Sequence, residues 1–99
     1  MEKKIISEIQ IIPVKPQKGL LAFCTFVLFD SIYCSSVAIY SKLTDGFRLV
    51  YPTKAAFGND LNVFYPINKK TGDAIQDEVI KKFKEVMNIK SDRYDFLNN

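Results

Sequence analysis

The sequence predicts an α+β fold: a small antiparallel β-sheet, laid out as a meander of hairpins, with a C-terminal α-helix packed on one face. Three observations predict it. A chain of 99 residues has room for one hydrophobic core and not for two. Leu20 to Tyr40 is a long β-prone run interrupted only at Asp30-Ser31, as a hairpin would be. Ile75, Val79, Phe83, Val86 and Met87 recur at helical spacing and form one apolar stripe.

Taken in order, Ile5 to Val14 is rich in Ile and alternates loosely, which predicts a first strand ending at Pro13 to Pro16. Lys15 to Gly19 reads as a turn. The Leu20–Tyr40 run then folds back on a two-residue turn at Asp30-Ser31. That register sets Phe29 against Ile32, Val27 against Cys34 and Cys24 against Val37. One face would carry Ala22, Cys24, Phe26, Leu28, Tyr33, Val37 and Ile39. The other would carry Leu21, Phe23, Val27, Phe29, Ile32, Cys34, Ala38 and Tyr40. Both faces are apolar, whereas a half-solvated hairpin alternates apolar with polar. One helix covers one face, so a second copy of the chain is the simplest cover for the other.

Thr44-Asp45-Gly46 marks the next turn, followed by a short strand, Phe47 to Tyr51, that stops at Pro52. Thr53 to Asp60 reads as a loop, and Leu61 to Tyr65 as a returning strand stopped by Pro66. Thr71 is the expected N-cap of the helix. Asp77 with Lys81, and Glu78 with Lys82, are acid-before-base pairs at i,i+4. The domain is expected to span 1–87, with 88–99 as a weakly ordered polar tail.

Composition excludes several chemistries. The chain has no His and two Cys, so one copy cannot complete a tetrahedral zinc site, and Ser-His-Asp and Cys-His catalysis are ruled out. Asp30, Asp60 and Asp73 are the carboxylates a hydrolase could recruit, and all three sit where turns favour Asp. The expectation is a protein that is not an enzyme and needs no metal or cofactor. Cys24 and Cys34, on opposite faces in the register above, are expected as buried, reduced thiols. Ser7, Glu8 and Gln10 interrupt any signal-peptide core, and the longest apolar stretch, Leu20 to Phe29, is about half a membrane span. A cytoplasmic chain without a membrane segment is therefore expected. The net charge of +3 permits a polyanionic partner without requiring one.

Asp45 to Lys54, Tyr65-Pro66-Ile67-Asn68 and Ile75 to Val79, set in the order strand, hairpin, short strand, basic loop, short strand, Pro-Ile-Asn, helix, together resemble the SpoVG family (stage V sporulation protein G, or septation protein). Asp45-Gly46-Phe47-Arg48-Leu49-Val50-Tyr51-Pro52-Thr53-Lys54 is similar to the family's Gly-Leu-Phe-Val-Ala-Met-Pro-Ser-Lys segment. Tyr65-Pro66-Ile67-Asn68 resembles its His-Pro-Ile-Asn, and Ile75-Gln76-Asp77-Glu78-Val79 its Ile-Gln-Asp-Ala-Val. The likeness runs from about Ile5 to Met87. It implies a SpoVG-like fold, a homodimer joined through β-strands, and binding of DNA or RNA with effects on septation or sporulation. The likeness points to the residues after the Pro-Ser-like segment and to the helix, here Thr53, Lys54 and Lys81; Lys54, Lys69 and Lys70, in loops flanking Pro52 and Pro66, are expected to converge on a phosphate backbone. The chain departs from the family where Lys54 is followed by Ala55 and Ala56 in place of a second basic residue, and fewer cations mean fewer phosphate contacts.

Each of these residues also has a plainer reading. Lysines on exposed loops keep a domain soluble, and Lys81, Lys82 and Lys84 face Asp77, Glu78 and Glu85 across possible ion pairs. Tyr51 and Tyr65 end short strands, where an aromatic either packs or stacks on an unpaired base. The alternative function is a dimeric protein–protein interaction module that binds no nucleic acid and uses exposed strand edges or the second apolar face.

Overall fold

The computed structural model describes residues 4–44 and 46–89. Among these residues six antiparallel strands form two sheets, and one helix packs against the larger. The strands are β1 (Ile6–Gln17), β2 (Leu20–Leu28), β3 (Ile32–Ser41), β4 (Phe47–Val50), β5 (Thr53–Ala56) and β6 (Asn59–Asn62), followed by α1 (Lys69–Met87). The first four make a sheet in the order β1-β2-β3-β4, and among the described residues β5 pairs only with β6. The expected α+β architecture is therefore present.

Three local departures from the expected elements have simple causes. β1 runs through Pro13 and Pro16, because it is an edge strand and an edge proline forfeits no ladder bond. The turn after it is Lys18-Gly19, both at positive φ (54° and 88°), the backbone that tight hairpins need. Thr53–Asn62 is a hairpin rather than a loop leading to a strand: Thr53 pairs Asn62 and Ala56 pairs Asn59 around Phe57-Gly58, which again sit at positive φ. The strand expected over Leu61 to Tyr65 is thus displaced toward the N-terminus.

The β2–β3 register is the main correction. Its connection is three residues long, with Leu28 opposite Ile32, Val27 opposite Tyr33 and Phe26 opposite Cys34. A bulge at Ser35-Ser36, with Ser36 at φ 63°, adds one residue to β3 and restores Cys24 opposite Val37 and Ala22 opposite Ile39. Ile32 and Tyr33 consequently exchange faces with respect to the sequence reading. So does Cys34, which joins Cys24 on the helix-covered face. A second irregularity, between Leu20 and Ala22, buries Leu21 and Ala22 together.

Helix α1 covers that face. Ile75, Val79 and Phe83 are buried in a common core with Phe26, Val37, Ile39 and Phe47. The Phe83 ring meets Phe47 edge-on at 5.2 Å, a favoured aromatic geometry. Gln76 Nε2 donates 2.8 Å to the Phe47 carbonyl and ties the helix to β4. Met87 is partly buried against the core, but Val86 is 47% exposed and does not belong to the packed stripe. The helix begins one turn earlier than expected. Asn68 is its N-cap, accepting from the Thr71 backbone N–H at 3.1 Å, so Thr71 is a third-position residue. Asn88 closes it in a left-handed cap (φ 57°). Of the expected tail, residues 90–99 lie outside the described residues.

Cross-strand partners share a face, so the opposite face carries the row Ile12–Phe23–Ala38–Val50 with Val27, Tyr33 and Tyr40. That row is apolar, as expected, but Ser7, Gln10, Thr25 and Arg48 share the face with it. Neighbouring side chains shade its centre, however, where Thr25 and Ala38 are buried. The Thr25 Oγ1 there has no hydrogen-bond partner among the described residues.

Candidate functional site

The sheet has two chemically different ends. At the first lie the β1–β2 turn, the β3–β4 turn and the C-terminal half of α1. At the second lie the β2–β3 turn, the β5–β6 hairpin and the start of α1.

The first end is basic. Lys42 donates its backbone N–H to the Gly46 carbonyl at 3.0 Å, which closes the β3–β4 turn and holds Lys42 at its base. An open groove of about 650 Å3 is lined by Lys18, Tyr40, Lys42 and Arg48, among others. A second, of about 460 Å3, runs between this turn and α1 and is lined by Lys42, Gln76, Asp77, Lys81 and Lys84. Lys42 belongs to both, so the two grooves adjoin. The Arg48 guanidinium lies 5.4 Å from the centre of the Tyr40 ring, a cation–π contact that holds it over the sheet face. Asp77 lines the second groove and offsets part of its charge. No arrangement of His, Cys, Asp and Glu suited to a metal occurs among the described residues.

The five residues expected to bind nucleic acid are spread over three places, on β5, at the start of α1 and in its C-terminal half. Thr53 and Lys54 stand exposed on the β5–β6 hairpin, opposite Asn62 and Leu61. Lys69 and Lys70 are the first two residues of α1. Lys81 lines the α1 groove of the basic end. Lys69 holds Asp73 at 2.9 Å, and that hydrogen bond raises the pKa of its exposed ammonium group. Among the described residues this ion pair stands in place of the Asp77–Lys81 and Glu78–Lys82 pairs suggested by spacing. Lys18, Lys42 and Arg48 are absent from the sequence-based set. Each is an isolated cation in its own segment, and only the stacking of two turns at one end of the sheet makes them neighbours. Their positions beside turns were the sole local signal.

The second end is apolar. A cavity of about 230 Å3 opens between the β2–β3 turn and the start of α1. Its lining includes Ile32, Tyr33, Cys34, Tyr51, Phe64, Tyr65, Pro66 and Thr71. Tyr51 and Phe64 meet edge-on at 5.8 Å in its wall. Burial pushes the Tyr51 hydroxyl up to about 12, with the Cys24 and Cys34 thiols adding to the effect. Burial also pushes the Cys24 thiol up to about 12 and raises that of Cys34. Both cysteines are free, and these shifts keep them in the unreactive thiol form. Beside the cavity the β5–β6 hairpin stands off the body. All its strand residues but Ala56 are exposed, no described residue lies within 4 Å of where a Gly58 Cβ would stand, and Phe57 at the tip is fully accessible at 101%.

No helix among the described residues is long and apolar enough to cross a membrane. Comparison with known protein families finds no family model that matches this chain, and a search of curated proteins finds no match either.

Proposed function

We propose that this chain is a SpoVG-like regulatory protein of the bacterial cytoplasm that binds DNA or RNA as a homodimer and acts on septation or sporulation. One observation carries the nucleic-acid part of the reading. Lys42 is shared by two adjoining grooves, with Lys18 and Arg48 on one side and Lys81 and Lys84 on the other. Phosphates are held by such rows of cations, and they supply most of the affinity of a non-specific complex. Tyr40 under Arg48 adds an aromatic surface of the kind on which unpaired bases stack. Lys54, Lys69 and Lys70, with Thr53, form a separate set at the other end and remain candidates for phosphate contact.

The test is a gel shift against mixed DNA and RNA pools at two salt concentrations. Binding should fall steeply with salt, and Lys42→Glu should weaken it for every sequence alike. A parent protein with no salt-sensitive binding to either pool would end the nucleic-acid reading. The second reading, a dimeric protein–protein interaction module, would then stand. It is favoured by the exposed apolar side chains around the β5–β6 hairpin, whose contacts should barely respond to salt.

A further inference from the structure

We infer that the β5–β6 hairpin is a dimerisation arm whose tip residue, Phe57, fills the aromatic cavity of a second copy of this chain. The inference rests on the homodimer of the reading above and not on its nucleic-acid ligand.

A knob and a hole of matching chemistry occur on one molecule. Phe57 is the knob: a large apolar ring, wholly in solvent, on a turn whose Gly58 has no neighbour within 4 Å of its Cβ position among the described residues. The hole is the cavity of about 230 Å3 with aromatic walls. A cavity of ~150 Å3 accepts one benzene ring, and drug-sized ligands need ~300 Å3 or more, so this one suits a single side-chain ring. Phe57 is out of reach of its own cavity. The hairpin root is adjacent to the Tyr51–Phe64 pair in the cavity wall, since the Val63 N–H donates to the Pro52 carbonyl. The tip is four strand residues further out, a distance of about 13 Å at ~3.3 Å per residue.

Two-fold symmetry uses that offset. With two hairpins side by side and antiparallel, each tip lies against the root of the other, and both knobs meet both holes in one self-complementary contact. The outer edges of β5 and β6, which pair with no other strand among the described residues, are then available for backbone pairing between copies. Charge agrees with this arrangement. Asp60 stands next to the hairpin turn, opposite Ala55, so it would arrive with Phe57 at the partner's cavity rim. Lys69 and Lys70 occupy that rim, between Pro66 and Thr71 of the lining, and Lys70 has no ion pair among the described residues.

Area agrees as well. Phe57, Ile67 (91% exposed), Tyr33, Val63, Tyr65 and Ile32 leave most or about half of their surface in solvent at this end. At about 150–250 Å2 per aromatic side chain and somewhat less per aliphatic one, they and Leu61 present on the order of 800 Å2. A standard interface buries roughly 800 Å2 per partner.

Sedimentation equilibrium over micromolar concentrations, on the full chain and on Phe57→Ala, tests the inference. The parent should be a dimer, and Phe57→Ala should raise its dissociation constant at least about 30-fold, the threshold of an interface hot spot. Because Phe57 is fully exposed within one copy, its removal should leave the fold unchanged by circular dichroism. In a mixture of isotopically light and heavy chains, p-benzoylphenylalanine placed at position 57 should crosslink to the 64–71 segment of the other copy. A monomeric parent would overturn both the arm and the homodimer. A dimer that Phe57→Ala leaves intact, or crosslinks confined within one chain, would overturn the arm alone.

Discussion

Replacing Phe83 with Ala is the sharpest test of the packing described above. Phe83 is completely buried between α1 and the sheet, and its ring meets Phe47 edge-on at 5.2 Å. Truncating a buried Phe costs about 3–5 kcal/mol, through lost transfer energy and the cavity left behind. The aromatic pair contributes about 0.5–1.5 kcal/mol beyond area burial, which argues for the upper half of that range. Domains of this size are held by about 5–15 kcal/mol in total, so the variant should sit close to its unfolding threshold. Urea denaturation followed by circular dichroism measures the loss. With slopes of ~1–3 kcal/mol per molar urea, the midpoint should fall by more than about 1 M. Both proteins must be compared at one protomer concentration, because dimerisation adds a concentration-dependent term. Val86→Ala is the internal control: that side chain is on the same helix but 47% exposed, and its loss should cost about 0.5 kcal/mol or less. A Phe83→Ala cost as small as that of Val86→Ala would refute the core assignment.

Other expectations follow from particular residues. Native Cys24 and Cys34 should react slowly with a thiol reagent at pH 8 and rapidly in denaturant; fast native labelling would contradict their burial. Folding raises the thiol pKa of Cys24 from 9.0 to about 12; the stability associated with it is complete below pH 9 and lost as pH rises toward 12. An unfolding free energy that stays level from pH 8 to 11 would count against that shift. Phe29 and Asp30 both hold positive φ in the β2–β3 turn, where Asn-Gly is preferred. Phe29→Asn with Asp30→Gly should therefore stabilise the domain by about 1 kcal/mol, and a loss of stability would show that the Phe29 ring has a packing role. Reversing charge at Lys42, Arg48 and Lys81 should lower the salt slope of nucleic-acid binding by about one unit for each phosphate no longer neutralised. The same change at Lys54, Lys69 and Lys70 is the matching comparison, and the set that leaves the slope untouched is not the phosphate site.

Much of the architecture was legible in local pattern. The stripe Ile75, Val79, Phe83 needs only the 3.6-residue period and appears as written, buried against the sheet. The expected pairing of Cys24 with Val37 is present, but only because the bulge at Ser35-Ser36 offsets a connection one residue longer than expected. The absence of His excluded whole classes of catalysis before any fold was considered.

What failed did so where one residue changes a two-residue period. The bulge at Ser35-Ser36 reverses the faces of Ile32, Tyr33 and Cys34, and no local signal marks it, since Ser is common in strands and turns alike. Tertiary packing favours it, because it brings Cys34 under the helix and turns Tyr33 outward. The helix start shows the same competition. Thr71 and Asn68 are both good caps, and it is Asn68 that caps the observed helix, one turn earlier.

The cations divide along the same line. Residue type and charge are written in the chain, so lysines could be counted and placed on turns or on the helix from it alone. Whether Lys42 stands beside Lys18 and Arg48, and also beside Lys81, depends on two turns and a helix meeting at one end of the sheet. Residue order is enough for the elements, the core stripe and the excluded chemistries, because each of these is a local property. Which faces and which charges come together is set by register and layer packing between segments far apart in the chain, and local periodicity carries no record of it.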